Sequence, residues 1–183
     1  MTPLTGRLLV ATPSLADPNF ARTVVLLLEH GDDGALGVVV NRPTDIPVSE
    51  VLPDWQPVVS SPGVLFQGGP VSLDSALGLV APVGDELPPG ARQVSGGLAL
   101  VDLDTPTDQV VPQISGARIF AGYAGWAVEQ LEKEIEEGAW YVVDALPVDP
   151  FRADAADLWR LVLRRQRGPL ALLSTFPADP ALN

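Results

Sequence analysis

His30 is the only histidine in the chain, and it stands among carboxylates, with Glu29 before it and Asp32 and Asp33 just after. An imidazole beside acids is the smallest set that can do general acid–base chemistry, and with further donors it can hold a metal weakly. The same residues also describe a turn histidine satisfied by local hydrogen bonds. The chain has no cysteine, so a thiol nucleophile, a disulfide framework and a thiolate metal site are all excluded. Any Ser-His-Asp triad would have to use His30, and His-rich zinc sites are impossible. No serine lies in a Gly-x-Ser-x-Gly elbow, and no Walker loop, Gly-x-Gly-x-x-Gly fingerprint or His-Glu-x-x-His is present. Carboxylates are abundant, but nothing in their spacing marks one catalytic pair over the others.

Charge narrows the partners. Eleven Lys and Arg against 23 Asp and Glu give a formal net charge of −12, a field that repels phosphate backbones and anionic membrane surfaces. Direct binding to nucleic acid is therefore disfavoured. The only basic cluster, Arg160, Arg164, Arg165 and Arg167, falls late in an expected helix, where the macrodipole already favours cations. No apolar run approaches the ~20 residues of a spanning helix. Met1 to Arg7 lacks a basic stretch followed by an apolar one, so no secretory signal is expected and the cytoplasm is the expected compartment. With 183 residues, 46% of them hydrophobic, the whole of 1–183 is expected to be one α+β domain.

These side chains must be held by a sheet. Thr23–Leu28 and Gly37–Val40 are uninterrupted apolar runs separated by a turn-rich segment, so they are expected to pair as a central hairpin covered on both faces. Further strands are expected over 7–11, 64–66, 76–80, 98–101, 118–120 and 140–143. Pro43 through Pro62 holds five prolines and reads as a long crossover with one or two helical turns, and Gly84–Gly96 reads as loop. Val128, Leu131 and Ile135 share one face of a helix expected over 127–137, with acids on the other face. A second helix is expected over 154–167, turning Leu158, Leu161 and Val162 inward beside Trp159 and stopped by Gly168-Pro169.

Three places present polar or glycine residues where buried strands end. Asn41 and Arg42 follow the second apolar run, so they either open a site at a rigid strand end or anchor the loop that follows. Gly68-Gly69-Pro70 is a turn, or a bulge where two backbones approach closely. Gly122-Tyr123-Ala124-Gly125-Trp126 offers its aromatics to a groove or to the core.

Several motifs occur in order along almost the whole chain. The opening Pro13-x-Leu15-x-Asp17-Pro18-Asn19-Phe20-x-Arg22-Thr23-Val24-Val25 is followed by Glu29-His30 and Gly37-Val38-Val39-Val40-Asn41-Arg42-Pro43. Gly68-Gly69-Pro70-Val71, Gly122–Trp126, Gln130-Leu131-Glu132-x-Glu134 and Gly138-x-Trp140 come later. Together they resemble the YqgE/AlgH family. The resemblance implies a cytosolic bacterial protein with a mixed, bifurcated β-sheet bent into a pseudo-barrel and flanked by α-helices. It also implies a family label of transcriptional regulator without an agreed activity, while the chain itself carries no helix-turn-helix signature.

The expected function is thus a non-enzymatic regulatory or binding role for an unidentified protein or small-molecule partner, without a cofactor. Its groove is expected near Arg22, His30, Asn41, Arg42, Gly69, Tyr123 and Trp126. The alternative is an enzyme of unrecognised type that uses His30 as general base or ligand beside Asp17, Glu29 or Asp32. The sequence leaves the oligomeric state open.

Overall fold

The computed structural model describes residues 3–176; Met1 and Thr2, the start of the N-terminal segment read above, lie outside the described residues. Its strands are β1 (Leu8–Ala11), β2 (Val24–Gly31), β3 (Gly34–Val39), β4 (Pro43–Pro47), β5 (Val64–Gln67), β6 (Val71–Pro82), β7 (Ala91–Ser95), β8 (Leu98–Val101), β9 (Ile114–Trp126) and β10 (Trp140–Val143). Among the described residues, four short α-helices accompany them, besides short 3-10 turns: α1 (Thr107–Val110), α2 (Gln130–Glu136), α3 (Leu158–Arg164) and α4 (Pro169–Leu172). The strands form one curled, largely antiparallel sheet in the order β10-β1-β2-β3-β9-β6-β8-β7. Beside β9 the sheet forks, because β9 pairs with β3 over Gly125 and with β5 in parallel over Phe120 and Ala121, while β5 carries β4 outward. The α+β class and the bifurcated, curled sheet are as the family resemblance implies, with the sheet curled into a half-barrel. Among the described residues no helix is long and apolar enough to cross a membrane.

The two apolar runs pair antiparallel, with Val25 opposite Val39 and Leu26 opposite Val38. Because side chains alternate across a strand, Val24, Leu26, Leu28, Val38 and Val40 enter a core with Leu158, Trp159, Val162 and Leu163 of α3. Val25, Leu27 and Val39 enter a second core on the opposite face, with Leu131, Trp126 and Trp140. Both faces of the hairpin are therefore covered, as its unbroken hydrophobicity requires.

Several expectations need correction. Pro43–Pro47 is a strand despite its prolines: it is mostly exposed and pairs only with β5, and an edge strand can spare the missing N–H. Ala91–Ser95, expected as loop, is the edge strand β7 on β8. The helix α2 begins at Gln130, because Glu129 takes a left-handed φ of 63°, so Val128 drops out of its periodicity and lies 61% exposed. On α3 it is Leu163, and not Leu161, that is fully buried.

Candidate functional site

The hairpin presents different chemistry at its two ends. Past the end of β3, the buried Asn41 accepts the Val24 N–H on Oδ1 (3.0 Å) and donates from Nδ2 to the Arg22 carbonyl (3.0 Å). The Arg42 guanidinium donates to the carbonyls of Asn19 (2.7 Å), Pro18 (3.0 Å) and Ala21 (3.1 Å). Asp17 closes the turn beneath by accepting the Asn19 N–H at 2.8 Å. Asn41 and Arg42 thus anchor the 12–23 loop that precedes β2, and not the segment that follows them. Arg22, at φ 58°, lays its guanidinium 4.0 Å over the Trp159 ring and reaches the Phe176 carbonyl at 3.4 Å. Burial lowers the pKa of both arginines; the nearby Arg160 charge adds to this at Arg22, and Asp17 partly opposes it at Arg42.

His30 lies six residues along β2 from Val24, roughly 20 Å away at ~3.3 Å per residue. The expected set therefore does not converge on one groove. A register shift between Leu27 and Glu29 turns the strand over, so His30 pairs with Ala35 and faces α2, on the side opposite Leu26 and Leu28. The ring is held on both edges: Nδ1 accepts the Leu4 N–H at 2.9 Å, and Nε2 meets Glu132 Oε1 at 2.5 Å. Because Nδ1 accepts an amide proton, the ring hydrogen is on Nε2, and the Glu132 carboxylate accepts it. The hydrogen bond from His30 is the main cause of a Glu132 pKa below the usual carboxylate range.

This geometry corrects the enzyme alternative. The His30 side chain is 1% exposed and has no free lone pair with which to act as a base. Its acidic partner is none of Asp17, Glu29 and Asp32. It is Glu132, 102 positions along the chain.

Gly69, Tyr123 and Trp126 belong to the forked region. A Cβ on Gly69 would sit 2.2 Å from the carbonyl carbon of Tyr123, so this is a close approach of two backbones and not a plain turn. The Val39 N–H donates to the Gly68 carbonyl at 2.7 Å and the Gly68 N–H to the Ala121 carbonyl at 2.9 Å, which ties β3 and β5 to β9 there. Tyr123 is half-buried against the α3-side core. Trp126 is core on the α2 side, in an aromatic cluster with Phe20 and Trp140 whose ring centroids lie 5.7–6.3 Å apart.

Three polar residues that organise these regions were not among the expected site residues, although Glu132 and Glu134 fall within one of the motifs of the family resemblance. The Glu134 carboxylate accepts both indole N–H groups through Oε1, from Trp126 at 3.1 Å and Trp140 at 3.0 Å, and accepts Gln130 on Oε2. Glu132, next but one along α2, serves His30. Spacing alone reads both as part of a solvated acidic face, because their partners come from β2, β9 and β10. Arg118, in the middle of β9, is fully buried. It donates to the carbonyls of Ser60, Ser61, Pro62, Pro150 and Arg152 and stands 4.2 Å over Phe66. Burial pulls its pKa down to about 10, which still leaves it charged at neutral pH.

Beside the His30–Glu132 pair, between α2 and the β2–β3 turn, is an open cleft of about 640 Å³ lined by Asp32, Val128, Glu129, Glu132, Lys133 and Glu136. Among the described residues no three His, Cys, Asp or Glu side chains are placed to hold a metal ion.

Comparison with known proteins agrees with this architecture. A crystal structure of a Corynebacterium diphtheriae protein superposes with a TM-score of 0.91 at 37% identity, covering 96% of this chain and 94% of that one. The solution structure of AlgH from Pseudomonas aeruginosa gives a TM-score of 0.71 at 30% identity over 95% and 94% of the two chains. Among curated sequences, a UPF0301 protein of Streptomyces coelicolor is 58% identical, covering 98% of this chain and 95% of its own. Another, from Mycobacterium avium, is 48% identical, covering 97% and 90%. The AlgH-like family model matches residues 8–171, and the chain belongs to that family.

Proposed function

We propose that this protein is a non-enzymatic regulatory or binding protein of the bacterial cytoplasm, and that its contact site is the cleft between α2 and the β2–β3 turn. The observation that carries this reading is the cleft itself. Its volume of about 640 Å³ lies within the ~300–1,000 Å³ usual for ligand sites. Four carboxylates and Lys133 surround an exposed Val128. That lining suits a partner presenting a cationic group next to an apolar one. Of the residues expected to form the groove, His30 is the one whose hydrogen-bond partner, Glu132, lines this cleft, and Asp32, expected beside His30, lines it directly. The Arg22, Asn41 and Arg42 group forms the rim at the far end of the hairpin. A regulatory effect on transcription would then pass through a bound partner, since a chain of net charge −12 is repelled by duplex DNA.

The test is co-purification of the full chain from cells, with mass spectrometry of bound proteins and small molecules, for wild type and for Asp32→Lys combined with Glu136→Lys. A partner recovered with wild type and lost with the charge-reversed variant supports the cleft. Equal recovery on both refutes it, as does retention of wild type on duplex DNA that weakens steeply with salt.

A further inference from the structure

The His30 ring joins three separate segments: the N-terminal residues through Leu4, the β2–β3 hairpin that carries it, and α2 through Glu132. Only the neutral ring with its hydrogen on Nε2 satisfies both bonds, because Leu4 offers a donor and the carboxylate offers an acceptor. An imidazolium carries a hydrogen on each nitrogen. Its Nδ1–H would point at the Leu4 N–H, placing two donors head to head at the edge of a ring that is 1% exposed.

We propose that His30 is a proton-operated clasp: protonation of the ring at Nδ1 releases residues 3–5 from the hairpin and opens the α2 side of the protein. Residues beyond the clasp remain attached, because the Gly6 N–H donates to the Leu27 carbonyl at 2.8 Å and the Leu27 N–H to the Arg7 carbonyl at 3.0 Å. Gly6, at φ 85°, is the hinge, in a backbone region that glycine adopts without strain. Leu4 is partly buried on the apolar core of the α2 face, so its departure uncovers apolar surface next to the cleft.

Charged groups around the ring are distributed as follows. From α2 and the turn before it come Glu132, Glu129, Lys133 and Glu136, and from the hairpin Glu29, Asp32 and Asp33. Glu29 is turned toward Arg92 of β7. Residues 3–6 bring no ionisable side chain, and Arg7 pairs with Asp144. The Leu4 N–H and a hydrogen on Nδ1 compete for the same position on the ring edge. Protonation of the ring and docking of the segment therefore exclude each other, and each must shift the other's equilibrium by the same factor.

Because the chain has one histidine, its imidazole resonance is unambiguous. NMR of the full-length protein from pH 8 to pH 4.5 would follow that resonance together with the Leu4 amide. The expected result is loss of Leu4 hydrogen-exchange protection with the same midpoint as the ring titration, while amides of β2 and β3 stay protected. Leu4→Pro removes the opposing N–H and is expected to move the ring midpoint upward relative to wild type. Glu132→Gln removes the favouring carboxylate and is expected to lower it. A ring that titrates while Leu4 stays protected overturns the proposal, as does a ring that stays neutral until the fold is lost. A Leu4→Pro midpoint equal to wild type, with β2 amides still protected, also overturns it.

Discussion

Arg118 is where a single side chain carries the largest structural load. Five backbone carbonyls from two distant loops, 60–62 and 150–152, converge on one guanidinium, and among the described residues no carboxylate is hydrogen-bonded to it. Its planar fork of five donors matches this cage, whereas an ammonium with three donors on a flexible stem does not. Arg118→Met would leave the carbonyls without donors in a dry interior, and urea denaturation is expected to show a loss of about 3 kcal/mol or more. Arg118→Lys should recover only part of it. Full stability in either variant would show that water replaces the guanidinium without cost. Asp149 uses the same logic with opposite sign: its buried carboxylate takes a two-pronged bond from Arg165 at 2.6 and 2.7 Å and also accepts the Leu146 N–H.

At the scale of elements, α2 is too short to be stable alone, at seven residues. It is held in place by Leu131 below and by two carboxylates facing inward from what its sequence presents as a polar helix. Glu134 receives the indoles of Trp126 and Trp140, and Glu132 receives His30. Glu134→Leu keeps the bulk but strands both indole N–H groups, so stability is expected to fall by about 2 kcal/mol. The tryptophan emission should shift at the same time, because the polar contact of both rings changes. An unchanged spectrum in a destabilised variant would argue against the shared carboxylate. The same pairing explains why the acidic face of α2 was legible as acidic, but not as the clamp of an aromatic core. A carboxylate's partner depends on which strands curl over the helix, and helical spacing holds no record of that.

For the molecule as a whole, 23 acids against 11 bases give a self-repelling surface. Screening should relieve it: adding salt from low concentration to about 0.5 M is expected to raise the thermal midpoint by roughly 2–4 °C. A midpoint that falls would mean that local ion pairs such as Arg7–Asp144 and Arg92–Glu29 outweigh the net repulsion. Those pairs are exposed and individually worth little, so the repulsive sum is expected to prevail. This negative field is also what any partner must meet, and it favours cationic ligands at the cleft beside α2.

The sequence alone determined the central hairpin, its double coverage and most of the strand positions, because short, β-branched apolar runs bounded by turn residues fit strands buried on both faces. It also determined the net charge and the exclusion of thiol chemistry, which need only counting. Tertiary structure alone decided three things. The register shift in β2 turns His30 toward α2, and the fork at β9 makes Gly69 indispensable. The curl of the sheet brings Glu132, Glu134 and Arg118 to partners far away in the chain. Each depends on contacts between residues remote in sequence, whose energies do not exist until the strands have paired, so no local pattern encodes them.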